Sequence, residues 1–377
     1  MMRAFHKVLV AAVILFLPAL LSAAPLQEVR VQVIDGVPAV TIEGAGSALR
    51  IGSSSGHGEE MAGASARVLA GESGLLFKGA LRGTEIIFTD SAGRYRIGER
   101  TFRGALAVVW KSKGTLIVVD RLPLEDYLSG LINSEISSSW PVESIKAQAV
   151  AARTYAMNQI EGARRAQNPR PFDITSTTLD QVYEGAHQED FLSQKAVAAT
   201  AGELLLRDGK VFPAYYHSCC GGHTEHAGNV WPGEQGPPVI DDTYCARSPK
   251  FSWSFDVPIS RFLEVLRSQG VKVGNVRTIA ASALADSPRV DDLLVEDDDG
   301  LKMVKATELR RMFGYQNIKS TWFEAAIKGK SIQFTGRGYG HGVGLCQWGA
   351  KGMAEAGKSY RDILKSYYPD AEVVKLY

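Results

Sequence analysis

A carboxylate on the apolar face of a predicted helix is the residue of this sequence best suited to chemistry. Helical periodicity begins at Leu122. One stripe of that helix carries Leu124, Leu128 and Leu131. Glu135 follows Leu131 by one helical step, in the middle of the same stripe. Apolar contact removes water from a carboxylate and raises its pKa towards the range where it exchanges protons near neutral pH. Glu135 is therefore a candidate general acid.

Two structural explanations of Glu135 stand beside the catalytic one. The carboxylate could be paired with an arginine such as Arg153, since structural ion pairs also perturb pKa values. Alternatively, the helix could end before residue 135. Spacing alone does not separate these explanations from catalysis.

Two helices joined by a tight turn must position Glu135. The helical pattern is interrupted at Ser137–Pro141, and a second helix is expected from Pro141 to Gln159. Proline suits the first helical position, and Glu143 suits the positive end of the helix dipole. Several alanines on the second helix would let another element approach closely.

Strands predominate before the helix pair. From Val29 to Val119, short alternating strands are broken by Gly and Ser clusters. The sequence therefore predicts an α+β fold, with a β-rich N-terminal lobe at 25–119. A mixed α+β core at 120–377 then carries the helix pair and Glu135.

The first residues are typical of an export signal. Met1–Lys7 is basic, Val8–Leu21 is apolar, and Ser22–Ala24 offers small residues for cleavage. We therefore expect residues 1–24 to be a signal peptide and the protein to act in the periplasm or cell envelope. An uncleaved anchor is the alternative, although the apolar run is short for a span of roughly 20 residues.

The charge balance gives no indication of a nucleic-acid partner. Lys and Arg total 42, against 41 Asp and Glu, so no basic excess is available for a phosphate backbone or an anionic membrane surface. Gly352–Ser359 matches the P-loop pattern, but its spacer is helix-forming and no buried strand precedes it. We predict no nucleotide site there.

A second group of side chains could bind a metal or form disulfides. His217, Cys219, Cys220 and His223 lie close enough in the sequence to suggest zinc, and Cys245 could supply a further ligand. Cys346 is the fourth cysteine, and an even number of cysteines permits disulfides. The spacing is not a CxxC type, and an oxidising compartment favours a disulfide over a metal ion. Cys220 with Cys245 is one such pairing, although the adjacent cysteines leave the connectivity open. We predict no metal site.

Ordered motifs along the chain resemble the SpoIID/LytB family, which contains stage II sporulation protein D and amidase enhancers. The matching segments are Leu122–Leu128, Glu135, Trp140–Ala156, Asp180–Gly185, Tyr216–Glu225 and Gly336–Ala350. Some members carry a Cys/His zinc site ahead of the Gln-Val-Tyr motif. Phe172–Asp180 contains neither residue type, so that site is not carried over.

The resemblance implies a lytic transglycosylase that cleaves peptidoglycan glycan strands freed of stem peptides, with Glu135 as its catalyst. One group protonates the glycosidic oxygen and then accepts the proton of the sugar's own 6-hydroxyl, which leaves a 1,6-anhydro end. No metal or organic cofactor is needed. The alternative is a non-catalytic glycan-binding protein that stimulates a cell-wall amidase.

A hydrolase would instead place two carboxylates about the scissile bond. One well-marked candidate favours the lyase, although four other carboxylates stay open as partners of Glu135. They are Asp173, Asp180, Glu184 and Glu225.

The same motifs suggest residues that contact the glycan. They are Arg153, Gln181, Tyr183, His217, His341, Gln347 and Trp348. Tyr183 and Trp348 offer flat rings for sugar faces, although aromatic residues are more often core. The glycines of Gly336–Gly349 let the backbone come close to a ligand or to another strand. His341, within that segment, either contacts glycan or only caps backbone in a packed turn.

Overall fold

The computed structural model describes residues 27–45, 49–52, 59–60, 64–178 and 180–377. The predicted signal peptide, residues 1–24, lies outside the described residues. Within the described ranges, no helix is both long and apolar enough to cross a membrane.

Short strands build the N-terminal lobe, as their alternation predicted. They are β1 (Glu28–Val37), β2 (Ala39–Gly44), β3 (Arg50–Gly52), β4 (Glu59–Glu60), β5 (Ser65–Ala70), β6 (Leu75–Phe77), β7 (Ala80–Leu81), β8 (Glu85–Thr89), β9 (Arg94–Ile97), β10 (Arg100–Arg103), β11 (Ala105–Ser112) and β12 (Thr115–Pro123). One sheet has the order β1-β12-β11-β8-β3-β4, and the other β10-β9-β2-β5-β6-β7. Alternate side chains of both sheets enter one hydrophobic core.

The predicted helix pair is present. Helix α1 runs over Leu124–Glu135 and α2 over Val142–Arg165. Helix α1 begins two residues later than the periodicity suggested, because Leu122 still pairs with Val29 of β1. The leucine stripe of α1 is buried, as expected. Helix α2 continues six residues beyond the predicted end at Gln159, and its last turn carries Arg164 and Arg165, which suit the negative end of the helix dipole.

The rest of the chain alternates helices with short strands. The elements are β13 (Ile174–Thr175), a 3₁₀ turn (Ala186–Gln188), α3 (Phe191–Ala199), β14 (Glu203–Arg207), β15 (Lys210–Val211), β16 (Tyr216–His217), α4 (Ala227–Val230), a second 3₁₀ turn (Thr243–Arg247), β17 (Ser252–Pro258), α5 (Ile259–Ser268), β18 (Thr278–Ala283), β19 (Val290–Asp297), β20 (Gly300–Lys305), α6 (Ala306–Phe313), β21 (Phe323–Lys328), β22 (Ser331–Arg337), β23 (Leu345–Cys346), α7 (Gln347–Glu355), α8 (Tyr360–Tyr367) and β24 (Glu372–Lys375). The fold is therefore α+β. The first half of the P-loop match lies in the last turn of α7, and its last residue, Ser359, is the N-cap of α8. The helical spacer is not a phosphate loop.

Helix α2 lies between two hydrophobic cores. Ala149, Ala152 and Ala156 belong to the core of the N-terminal sheets. Ala147 and Ala151 belong to a second core, built with α7 and α8. Small side chains on both faces let the helix pack closely on each side, as the alanine content predicted.

The segment β17–β22 packs around a third hydrophobic core of its own. Its two three-stranded sheets have the orders β17-β22-β21 and β18-β19-β20, and α5 and α6 pack on them. Strand β13 pairs in parallel with β1, and so extends the N-terminal sheet with residues from beyond the helix pair. The division at residues 119 and 120 stays a prediction.

Candidate functional site

Glu135 is the last residue of α1, and three donors surround its carboxylate. Oε1 accepts hydrogen bonds from the backbone N–H of Val182 at 3.0 Å and from the hydroxyl of Tyr216 at 3.2 Å. Oε2 lies 3.5 Å from the side-chain amide nitrogen of Gln347. Glu135 makes no ion pair with Arg153, which excludes the first structural explanation of its position.

The surroundings of Glu135 favour the protonated carboxyl group. Burial raises its pKa above the ordinary value, and the hydrogen bonds from Val182, Tyr216 and Gln347 offset only part of that effect. Oε1 already has two close donors, whereas Oε2 has one long contact. Oε2 is therefore the oxygen available to carry and transfer a proton.

An open cavity of about 390 Å³ lies beside Glu135. Its walls include Trp140, Ser218, Lys250, Gln347 and Trp348. Glu135 is the only carboxylate, and Lys250 the only cation, among the described residues that line it. A group that can donate a proton thus faces a space with aromatic walls and few charges.

Two tryptophans form one wall of this cavity. The ring centroids of Trp140 and Trp348 lie 5.0 Å apart at an angle of 59°. The ammonium of Lys351 lies 4.9 Å from the ring centroid of Trp348 and 5.7 Å from that of Trp140, so cation–π attraction helps to hold the pair. Both rings are only partly buried, so they leave surface for stacking on a sugar face. Trp348 thus lines the cavity beside Glu135, and its contact with glycan stays a prediction.

Gln181 supports the site from within the protein. It is 1% exposed, and its amide nitrogen donates to the hydroxyl of Tyr216 at 3.1 Å and to the carbonyl of Ala152 at 3.2 Å. Its oxygen accepts from the hydroxyl of Tyr127 at 3.0 Å. With every polar atom paired inside the protein, Gln181 positions Tyr216 against Glu135 instead of contacting the glycan as predicted.

Arg153 and Tyr183 also lie in the interior, so their predicted contacts with glycan are wrong. The fully buried guanidinium of Arg153 makes a two-point ion pair with Glu125, with distances of 2.8 and 2.7 Å. Tyr183 is 1% exposed, and its hydroxyl donates to buried Asp120 at 3.0 Å. Neither side chain reaches the cavity beside Glu135.

The two predicted histidines lie next to each other, outside that cavity. His217 is buried, its Nδ1–H donates to the carbonyl of Val343, and burial lowers its pKa to about 4. The Nδ1 of His341 accepts from the Val343 N–H, and its Nε2–H donates to the carbonyl of Tyr216. Burial lowers the pKa of His341 well below its ordinary value, so the ring is neutral. Both ring nitrogens of His341 therefore cap backbone, as the alternative explanation held, and its contact with glycan stays a prediction. The prediction that the buried His217 contacts glycan is wrong.

A second cavity, of about 180 Å³, is lined by Tyr216, whose hydroxyl donates to Glu135. Asp180 and His341 line it, together with the stacked rings of Tyr215 and Trp231, whose centroids lie 4.4 Å apart. His341 thus remains next to open space, although not beside Glu135.

None of the four alternative carboxylates lies in the cavity beside Glu135. Asp173 pairs with Arg30 at 2.6 Å, and Glu225 is 2% exposed and lies 3.6 Å from Arg289. Glu184 is exposed on the surface. Asp180 lines the second cavity, where it accepts from the hydroxyl of Tyr155.

The four cysteines are buried and free, contrary to the predicted disulfide. The sulfurs of Cys220 and Cys245 lie 3.4 Å apart, whereas a disulfide requires about 2.05 Å. The predicted disulfide is therefore absent from this structure, although Cys220 and Cys245 are in contact as the prediction requires.

The glycine-rich segment approaches another part of the chain, which was one of the two expected uses. The backbone of Tyr339 exchanges two hydrogen bonds with Cys219, at 3.0 and 2.7 Å. At Gly338, with φ of +78°, a Cβ would lie 2.7 Å from the carbonyl oxygen of Cys219, so no larger residue fits.

Sequence reasoning missed three residues of the site as functional groups. Trp140 lies in the turn directly after Glu135, and Tyr216 lies in a quoted motif, so both could have been selected. Lys250 comes from a segment with no motif, and only the fold brings it to the cavity.

Two family models match the chain. One, described as stage II sporulation protein, matches residues 112–206, which contain Glu135 and the helix pair. The other, a domain of unknown function (DUF8618), matches residues 241–344 and so covers the lobe built on β17–β22. The first match assigns the segment that contains Glu135 to the class of stage II sporulation proteins.

Similar proteins give the family. The chain is 31% identical over 273 residues to stage II sporulation protein D of Bacillus amyloliquefaciens, which covers 68% of this chain and 75% of that one. It is 36% identical over 262 residues to an uncharacterized protein of Brachyspira hyodysenteriae, covering 69% of each. It is 30% identical over 290 residues to the amidase enhancer of Bacillus subtilis strain 168, covering 64% of this chain but 39% of that one. The chain belongs to the stage II sporulation protein D family, as its motifs predicted.

Proposed function

We propose that this protein is a peptidoglycan lytic transglycosylase that cleaves glycan strands through Glu135. The observation that carries the proposal is a single carboxylate of raised pKa, with a loosely held Oε2, in an aromatic cavity. A hydrolase of the usual kind needs a second carboxylate across the scissile bond. The described lining offers none, which supports a lyase.

In the proposed mechanism, Glu135 first donates one proton and then regains one. Glu135 donates the proton of Oε2 to the glycosidic oxygen as the bond from that oxygen to C1 breaks. The 6-hydroxyl oxygen of the same sugar then bonds to C1 and gives its proton back to Glu135. The product is a 1,6-anhydro ring, no water is consumed, and the carboxyl group is regenerated. Tyr216 and the Val182 N–H stabilise the transient carboxylate from the Oε1 side.

Lys250 supports denuded strands as the substrate class. When a stem peptide is removed, its amide bond to the lactyl group is replaced by a free carboxylate. Lys250 is the cation of the described lining, so it is placed to pair with such a group. A strand that still carries peptides lacks this charge and is bulkier. We therefore propose glycan strands without stem peptides as the preferred substrate.

A non-catalytic enhancer of a cell-wall amidase is the second candidate. It is favoured by the similarity to a protein named amidase enhancer, although the chain spans less than half of that protein. The two activities share one requirement, an aromatic surface that binds glycan. They differ in whether the carboxyl proton of Glu135 is used.

The place of action is proposed to be the periplasm or cell envelope, since peptidoglycan lies there and residues 1–24 have the pattern of an export signal.

The test compares wild type with Glu135→Gln on purified denuded strands, by the release of soluble fragments. Glu161→Gln, on exposed α2 surface, is the matched control. Release by wild type and the control, but not by Glu135→Gln, is expected. If the strands stay intact with all three proteins and an added amidase is stimulated, the lyase proposal is wrong and the amidase-enhancer function takes its place.

A further inference from the structure

Three sulfurs and one carboxylate meet in the interior, away from the cavity beside Glu135. Cys220 follows β16, Cys346 ends β23, and Cys245 lies in the 3₁₀ turn of Thr243–Arg247. Asp242 immediately precedes that turn. All four side chains are fully buried, with 0% exposure. Segments distant in the sequence therefore converge on one point.

The spacing of these atoms fits one metal ion. The ligand atoms of Cys220, Asp242, Cys245 and Cys346 all lie within 4.8 Å of one another. The Cys220 sulfur is 3.4 Å from the Cys245 sulfur and 3.3 Å from Oδ2 of Asp242. With Zn–S bonds of about 2.3 Å, tetrahedral geometry separates neighbouring sulfurs by about 3.8 Å. Small side-chain movements would bring the four atoms to these positions.

Backbone donors point at the sulfurs. Cys346 Sγ accepts from the N–H groups of Cys220 and Gly349, both at 3.3 Å. Cys220 Sγ accepts from the Gly222 N–H at 3.4 Å. Donors in these positions stabilise negative charge on sulfur and orient it, as the outer contacts of metal-bound thiolates do. At Gly349 a Cβ would lie 2.1 Å from Asp242 Oδ2, so a larger residue would push the carboxylate aside.

The carboxylate of Asp242 is held in the same way. The hydroxyl of Tyr367 donates to Oδ2 and the N–H of Tyr244 to Oδ1, each at 2.9 Å. No basic side chain of the described residues pairs with Asp242. A fully buried carboxylate without a cation is costly, and a bound cation would supply the missing charge. A disulfide between Cys220 and Cys245 would leave this carboxylate without a positive partner.

We propose that Cys220, Asp242, Cys245 and Cys346 form a structural zinc site. Thiolate ligands select zinc among the common divalent ions, and a closed set of four protein ligands is typical of structural sites. The ion would join the ends of β16 and β23, which pair in parallel through Tyr216–Leu345 and His217–Cys346. Tyr216 lies on β16, and Gln347 begins α7 directly after Cys346, so the ion would fix two of the three donors to the Glu135 carboxylate.

The first experiment measures zinc in the purified mature protein, by elemental analysis and native mass spectrometry. About one Zn²⁺ per chain is expected for a closed four-ligand site. Apoprotein loaded with Co²⁺ should show the intense near-ultraviolet bands of cobalt–thiolate charge transfer and the visible bands of a tetrahedral ion. Zinc-free protein whose cysteines resist alkylation after denaturation would show disulfides in place of the zinc site. An octahedral cobalt spectrum would also overturn the proposal.

Variants then test the ligands. Cys346→Ser and Asp242→Asn should lose zinc and melt at lower temperature. Cys219→Ser is the matched control, because it removes a buried neighbouring sulfur that is not a proposed ligand. Zinc retained by Cys346→Ser, or released equally by Cys219→Ser, would contradict the assignment. The cobalt spectra come from wild-type protein, so the test holds even if a variant fails to fold.

Discussion

Tyr216→Phe removes one donor from the Glu135 carboxylate and one of the two acceptors of the Gln181 amide nitrogen. The hydroxyl donates to Oε1 at 3.2 Å and accepts from Gln181 at 3.1 Å. A hydrogen bond to a charged group contributes roughly 1.5–3 kcal/mol, and each pKa unit corresponds to about 1.36 kcal/mol. The donor stabilises the charged form, so its loss must raise the pKa of Glu135. We expect a rise of about 1 unit, the low end of that range, because the bond is long and the Val182 N–H remains.

The assay follows the side-chain carboxyl carbon of Glu135 by NMR as a function of pH, which requires no enzymatic activity. Tyr155→Phe is the matched control, because its hydroxyl donates to Asp180 and not to Glu135. If the protein is a lyase, the alkaline limb of its pH–rate profile should move upward with the titration, since the acid must begin protonated. An unchanged or lowered pKa in Tyr216→Phe would refute the assigned role of Tyr216.

Three further predictions concern stability and substrate preference. Burial raises the folded-state pKa of Glu135 above its ordinary value of 4.5. The protonated carboxyl group contributes its full stability below pH 4.5, and this stability is lost as the pH rises from 4.5 through the folded-state pKa. Glu135→Gln should therefore melt at a higher temperature than wild type at about pH 8 and at the same temperature at about pH 4; a uniform loss of stability would contradict this. Arg153→Ala should lower the free energy of unfolding by about 3 kcal/mol, because it leaves Glu125 without its partner, whereas Arg165→Ala on the exposed part of α2 should change it by less than about 0.5 kcal/mol. Chemical denaturation measures both, and equal effects would show that the interior ion pair is unimportant. Lys250→Gln should reduce the preference for denuded over peptide-bearing strands by about five-fold, equivalent to about 1 kcal/mol, in a sedimentation assay; an unchanged ratio would exclude its pairing with the lactyl carboxylate.

Local periodicity was sufficient to predict the parts of the site that lie on one element. The leucine stripe of α1 is buried, and the helix ends at Glu135, which is half-buried. The wheel position correctly predicted that loss of solvation raises the pKa of this carboxyl group. Alternating strands likewise predicted the β-rich lobe. These patterns report which face of an element meets the core, and that is decided locally.

Contacts between distant segments could not be predicted in the same way. Arg153 and Tyr183 lie in motifs, yet both turn into the interior, because α2 is enclosed by two cores and Tyr183 packs on Tyr127. Nothing in the spacing of residue 250 predicts that Lys250 lines the cavity beside Glu135. The cysteines were recognised as a group, but the convergence of Asp242 with them depends on the tertiary fold.

The identity of the new chain ends tests the central claim most directly. The fragments released from denuded strands by wild type should be separated by reversed-phase chromatography, and their molecular masses measured before and after borohydride reduction. A lyase leaves 1,6-anhydro ends that borohydride does not reduce, and these should be absent with Glu135→Gln. Reducible ends carrying an added water would contradict the account, since they require a hydrolase with a second catalytic group.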